Sequence, residues 1–496
     1  MNKALTTIIV LTLLFFAVTF FYVFELPPFN PGGPFIPART EDGQTQISEE
    51  LPEFLSEEGV SRAKTYEEHM NRGKLLAQKN YNALAIAEYE SASKLQPKKI
   101  EPLIEIGKLN FSGKDYLKAR LTFEQALKIT PDSIDASVML ARTYIAERKT
   151  TEAKKILDDM KIHSQQSKYY QGLLAAAAGE SDRAKNLLHD VITIGGNLET
   201  SERAKIALGA YDEFNFSQGG PDVHLKTLLG RSFDQIGEYD MAVAILIEVI
   251  KEKKDYRDAW ILLGYAYLKT EKYQDSTDAL MEARKLDPQK PETSFFLGLS
   301  YFGLQDLKKA AEFLELAKSN GFEPRVQVEQ KLAEVYLQMQ EYEKASLSYE
   351  AVLSLNDQDV NYFIKPIWIY LDRLNQPEKA VALANKAVAA HPKEAMSYNL
   401  LGWTSTGAGR LDEAQKYLDK ARTMDPNLDA VYLNYGVLSE KRGDRDAAAA
   451  YYKKAYDIGM GSGIAMAAAD RYNRLIGGGS LSIQNGPALK ASLLQQ

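Results

Sequence analysis

The stretch Trp260-Ile261-Leu262-Leu263-Gly264-Tyr265-Ala266-Tyr267 decides how the chain folds. One glycine sits among large apolar residues over two helical turns, a small residue returns at Ala283, and Pro288 follows. Apolar spacing of this kind marks helices, and a proline just past the second one stops it. Outward from this stretch the same design recurs in both directions. The small residue of the first helix returns as Gly73, Gly107, Gly298, Gly402 and Gly436. The one that opens the second helix returns as Ala85, Ala119, Ala153, Ala184, Ala242, Ala310, Ala345, Ala380, Ala414 and Ala448, with Ser276 in the slot between Ala242 and Ala310. Most steps are 34 residues. A period near that length with two helical patterns per unit specifies stacked helical hairpins.

The residue types have a physical reason. Two antiparallel helices joined by a short turn must approach closely, and glycine or alanine removes the side chains that would hold them apart. Large residues such as Tyr267, Leu280, Tyr336 and Tyr349 then fill the space between hairpins. Pro97, Pro131, Pro288, Pro392 and Pro426 fall just past the second helices. No hairpin buries its apolar face alone, so stability comes from its neighbours.

This pattern resembles the tetratricopeptide repeat. The Trp260 stretch carries that family's W-x-x-L-G-x-x-Y opening, and only Ser276 departs from it. About eleven units run from Tyr66 to Met460, roughly four-fifths of the chain. The expected fold is all-α. The resemblance implies a right-handed solenoid whose first helices line a concave groove that holds segments of partner proteins. On that basis the ninth position of each unit faces the partner. It reads Lys74, Lys108 and Arg142 in the first three units, a basic ladder suited to a carboxylate or an acidic segment. Glu105 occupies a neighbouring slot, so the family's two-carboxylate clamp is not reproduced. Further on, the inner positions turn apolar at Ile261, Tyr265 and Leu268, at Phe295, Leu299 and Phe302, and later at Trp403. These either contact a partner or pack on the neighbouring hairpin.

The register breaks twice. Gly172 lies 31 residues after Ala141, and Ala242 lies 58 residues after Ala184. The surplus in the second gap predicts one extra helix near Glu199 to Phe214, followed by the breaker Ser217-Gln218-Gly219-Gly220-Pro221. We place one sub-array over residues 66–216 and another over 217–460, with a bend between them. A capping helix is expected over 461–476, with Asp470, Arg471, Asn473 and Arg474 on its polar side, and a disordered tail over 477–496.

Ahead of the repeats, Ala4 to Phe24 contains no charged residue. As a helix it would span roughly 31 Å, matching a hydrocarbon core of about 30 Å. Lys3 precedes it, so the N-terminus is expected inside and the bulk of the chain outside. The apolar run is longer than that of a cleaved signal peptide, so we read residues 1–25 as an uncleaved anchor. Residues 26–65 read as a linker: Pro27-Pro28, Pro31, Pro34 and Pro37 stiffen its start, and Glu41 to Glu58 carries seven carboxylates without a lysine or arginine.

Composition narrows the function. The net charge of −7 lacks the basic footprint of a nucleic-acid binder. The absence of cysteine excludes disulfides, thiolate metal sites and an acylated lipoprotein anchor. His69, His163, His189, His224 and His391 form no metal or nucleophile motif. Gly459-x-Gly461-x-Gly463 follows a helix rather than a strand and reads as a helix cap and hinge. No metal, cofactor or catalytic residue is expected. The reading is a membrane-tethered scaffold that binds other proteins in envelope assembly, secretion or quality control, at the outer face of a bacterial inner membrane. Two alternatives stand beside it: an import receptor of the mitochondrial type facing the cytosol, which the family resemblance suggests, and an enzyme with a site in the irregular segment 199–221.

Overall fold

The computed structural model describes residues 64–216, 220–459 and 462–476. The expected anchor, its linker and the tail from residue 477 lie outside these residues. Among the described residues every regular element is helical, and no helix is long and apolar enough to cross a membrane.

Contacts divide these residues into two units, 64–304 and 305–476. The first unit begins with four pairs: α1 (Tyr66–Gln78) and α2 (Asn82–Leu95), α3 (Glu101–Ser112) and α4 (Tyr116–Ile129), α5 (Ile134–Ala146) and α6 (Thr150–Asp158), α7 (Gln165–Ala177) and α8 (Ser181–Ile194). A solitary α9 (Leu198–Phe216) follows. Then come α10 (Asp222–Gln235) with α11 (Tyr239–Glu252), α12 (Arg257–Lys269) with α13 (Tyr273–Leu286), and α14 (Pro291–Gly303). The second unit holds α15 (Leu307–Ser319), the pair α16 (Arg325–Gln338) and α17 (Tyr342–Leu355), and an irregular segment. The pairs α20 (Ala395–Gly407) with α21 (Leu411–Met424) and α22 (Asp429–Arg442) with α23 (Arg445–Ile458) lead to α24 (Gly463–Ile476). The irregular segment is a 3-10 turn Val360–Phe363, the short α18 (Ile364–Trp368) and a π-turn Ile369–Arg373, all preceding α19 (Pro377–Ala390).

At one step of each repeat a single residue lies in the left-handed region. These are Asn80, Lys114, Arg148, Gly179, Gly237, Glu271, Gln305, Gln340, Asn375, Gly409 and Gly443, eleven in all. The two irregular steps of the sequence, 31 and 58 residues, reappear between Arg148, Gly179 and Gly237. The backbone thus counts the same units as the side chains do.

The small-residue rule has a direct geometric basis. A Cβ added at Gly73 would stand 2.6 Å from the Tyr89 ring, and one at Gly230 would stand 2.7 Å from Leu246. In the same way Gly107 meets Phe123, Gly264 meets Leu280, Gly402 meets Leu418 and Gly436 meets Tyr452. The partner is always sixteen residues on, where the second helix crosses the first. The alanines opposite, Ala85, Ala119, Ala310 and Ala414 among them, are fully buried. Ser276 fits the alanine slot because its hydroxyl donates to the Gly264 carbonyl at 2.7 Å, so a buried polar group is satisfied.

The extra helix is present, slightly longer than expected. It carries no second helix of its own, so α9 and α10 meet directly, both of them packing on α7. The break expected at residue 217 is therefore bridged by packed helices, and contacts divide the chain at residues 304 and 305 instead. Gly220 and Pro221 lead into α10, and a short connection alone does not separate two cores.

Candidate functional site

The two units present different inner surfaces. In the first, the turn between α10 and α11 reaches back to α5 and α7. The Glu238 carboxylate accepts from Tyr170 Oη at 3.1 Å and Tyr169 Oη at 3.4 Å, with Arg203 Nη1 at 3.7 Å. Burial pushes its carboxyl above the usual range, against the opposing pull of Arg142. Arg142 itself lies over the Phe111 and Tyr170 rings, at 5.2 and 5.6 Å. At the rim, Lys114 Nζ reaches Glu271 Oε2 at 2.6 Å, and Arg148 lies 5.4 Å from the centre of the Tyr267 ring.

The third rung of the basic ladder is therefore stacked on Phe111 and Tyr170, within the electrostatic reach of Glu238, which Tyr170 holds. Lys108 pairs with Glu105 on its own helix at 2.8 Å, and Lys74 is exposed. The structure does not join the three into one cradle. Ile261, Tyr265 and Phe295 are buried, at 4%, 2% and 1% exposure. Tyr265 packs against Tyr239 and Phe296. These three take the packing alternative and offer no surface to a partner. Leu268, Leu299 and Phe302 are half-buried.

The second unit carries a cavity of about 960 Å³. Trp368 and Trp403, with Leu371, Met396, Leu433 and Ile464, supply its apolar lining, and Asn399, Asn434, Lys365, Asp372 and Arg471 its polar groups. Asn434 Nδ2 donates to Asn399 Oδ1 at 2.9 Å, and the two residues are 8% and 2% exposed. Carboxamides have two donors and two acceptors each, so this bond leaves capacity for further partners. Burial lowers the Lys365 ammonium below its ordinary value, with Glu334 opposing. Burial raises the Asp372 carboxyl, with Arg471 and Arg373 opposing. Arg471 comes from α24, which thus walls the cavity as well as closing the stack; its Nη1 is 3.3 Å from Glu440 Oε2.

Of the residues predicted from the sequence to contact a partner, Trp403 is the one that lines this cavity. Trp368 and Val437, its counterparts one repeat before and after, line it as well. Sequence reasoning missed both. Steps of 35 and 34 residues from Trp403 would have found them. Trp368 was hidden because Pro366 removes a helix donor and the helix ends in a π-turn, where Leu374 N donates to Ile369 O at 3.0 Å.

Family models of the tetratricopeptide repeat match residues 110–177, 227–291, 267–324, 330–359, 369–429 and 406–463. Together they cover more than half of the chain, which belongs to that family. Over 212 residues it is 24% identical to the peroxisomal targeting signal receptor of Saccharomyces cerevisiae, covering 41% of this chain and 34% of that protein. Over 297 residues it is 23% identical to tetratricopeptide repeat protein 21B of Xenopus laevis, covering 57% of this chain and 22% of that protein. The chain thus spans about a third or less of these relatives' lengths. Among solved structures, yeast Tom70 is similar at 13% identity and a TM-score of 0.28, over 83% of this chain and 95% of that one. The Cut9–Hcn1 hetero-tetramer of the APC/C matches at 11% identity and a TM-score of 0.30, over 84% of this chain and 98% of that one.

Proposed function

We propose that the chain is a protein-binding scaffold and that the second unit takes an extended partner segment in the cavity between Trp368 and Trp403. The observation that carries this reading is the lining itself. Two tryptophans and four aliphatic side chains offer pockets for apolar residues, and the Asn399–Asn434 pair presents amide groups suited to a peptide backbone. Residues 4–24 tether the scaffold to a membrane, and the repeats act on the outer side of a bacterial cytoplasmic membrane in envelope assembly, secretion or quality control. The uncharged run of 21 residues behind Lys3 supports the tether and its direction.

Two experiments test this. A photo-crosslinking residue at position 403 is expected to trap a discrete protein adduct in cells, whereas one at the outward-facing Leu347 on α17, 64% exposed, is not. Equal labelling from both positions, or none from position 403, refutes groove binding. Protease added to cells with a permeabilised outer membrane is expected to degrade the repeats. Protection until the inner membrane is opened would place them in the cytosol and reject the proposed side.

A further inference from the structure

The groups that hold the α10–α11 turn against α5 and α7 are charged and phenolic rather than aliphatic. Asp234, Glu238 and Asp240 fall within seven residues, and all three are substantially buried. Glu238 accepts from Tyr169 and Tyr170, with Arg203 at 3.7 Å and with Arg142, 5.6 Å over the Tyr170 ring, acting on it electrostatically. Asp240 faces Lys272 at 3.6 Å, with Arg148 and Lys114 beyond. Glu271 adds its pair with Lys114 at the rim. Three cations that precede this turn in the chain, Lys114, Arg142 and Arg148, thus lie near carboxylates 92 or more residues later, at Glu238, Asp240 and Glu271.

A permanent core contact would be better built from apolar groups, because burying charge costs desolvation that pairing only partly returns. Asp234 shows that cost. It is 2% exposed, and neither of its carboxylate oxygens has a hydrogen-bond partner among the described residues. Lys269 is its balancing cation. A contact made of charge can be released and remade with other carboxylates, whereas an interlocked apolar one cannot.

We propose that the turn Asp234–Asp240 is a built-in acidic ligand of α5 and α7, and that an acidic segment of a partner binds at Arg142 in exchange for it. The first unit is then closed at rest and opens to a carboxylate-rich competitor. The solitary α9 makes this geometry possible. Two successive inner helices without an outer one between them bring the later pairs back onto the earlier ones. This site is separate from the Trp403 cavity, and either can fail without the other.

The test is a charge-reversal cycle on the full-length chain, read by amide hydrogen exchange. Lys114 and Glu271 are 44% and 58% exposed, so reversing them leaves the cores intact. K114E and E271K are each expected to speed exchange over 165–177 and 234–252 by about fivefold or more, and the double variant to restore it. Residues 305–476 serve as the internal reference and should not change. Oligoglutamate is expected to bind E271K at least about fivefold more tightly than the parent chain, and R142A to remove that gain. Unchanged exchange in both single variants, or faster exchange that the double variant does not reverse, overturns the latch. Equal oligoglutamate affinity in E271K and the parent overturns the acid-binding surface.

Discussion

Arg142 and Trp403 occupy the same place in their repeats, each directly after the small residue of an inner helix, Ala141 in one unit and Gly402 in the other. In the first unit that position lies over the Phe111 and Tyr170 rings, within reach of the charge on Glu238, a residue returned by a later part of the chain. In the second it faces a cavity of about 960 Å³. Equivalent positions on one scaffold therefore became an internal contact and an open surface. The difference arises at α9 and at the 360–373 segment. The unpaired α9 folds the first unit onto itself, and the π-turn after Pro366 helps shape the wall that carries Trp368. A repeat fixes which residues look inward, and an irregular element decides what they see.

Breaking the internal contact should have the largest effect. Tyr170→Ala removes a 3%-exposed ring lying against Arg142 and a donor to Glu238. A loss of about 3–5 kcal/mol is expected, seen in calorimetry of the full chain as an earlier transition for the first unit only. A single unshifted transition would show that the ring is not part of the first unit's core.

The rule shared by both units gives the next effect. Gly264→Leu and Gly402→Leu should each cost roughly 1–3 kcal/mol, because a side chain there enters the space held by Leu280 or Leu418. A thermal melt unaffected by either substitution would remove the packing argument for that unit, and a difference between them would locate the looser stack.

Acidity should act on the two units unequally. Burial raises the carboxyls of Asp234, Glu238 and Asp240. Their folded values lie above the unfolded ones, so the folded state binds more protons and stability falls as pH rises through that window. Asp234 faces Lys269, Glu238 faces Arg142 and Arg203, and Asp240 faces Lys272, Arg148 and Lys114, and burial outweighs these cations in each case. Lowering the pH from 7 toward 5 should therefore slow intrinsic-rate-corrected amide exchange in α11. Faster exchange on acidification would mean that the ion pairs dominate.

The smallest effect separates the turns. Gln340→Gly, at φ +59° in the second unit, should stabilise by up to about 1 kcal/mol by relieving a left-handed backbone. Glu271→Gly, at φ +61° in the first, should gain nothing net, because it also removes the pair with Lys114. Equal gains in chemical denaturation would make that pair energetically silent.

Most of the fold was legible in the residues. Gly264 and its counterparts predicted where helices touch, and the 58-residue step from Ala184 to Ala242 predicted α9. The candidate site was legible only in part. Trp403 was found, but Tyr265 shares its position and lies in the core, as does Phe295. An apolar residue facing inward is written the same way whether the space before it is filled or empty. The cations were read in sequence order as a ladder, while Glu238, which acts on Arg142, comes from far along the chain.

The sequence by itself determined the hairpin, its period and the number of units, because close approach of two helices is a local requirement that small side chains at fixed spacing satisfy. Only the tertiary structure decided which inner faces are covered. That outcome depends on how the angle between successive pairs accumulates through α9 and the 360–373 segment, and a sum of small rotations over many residues leaves no mark on any one of them.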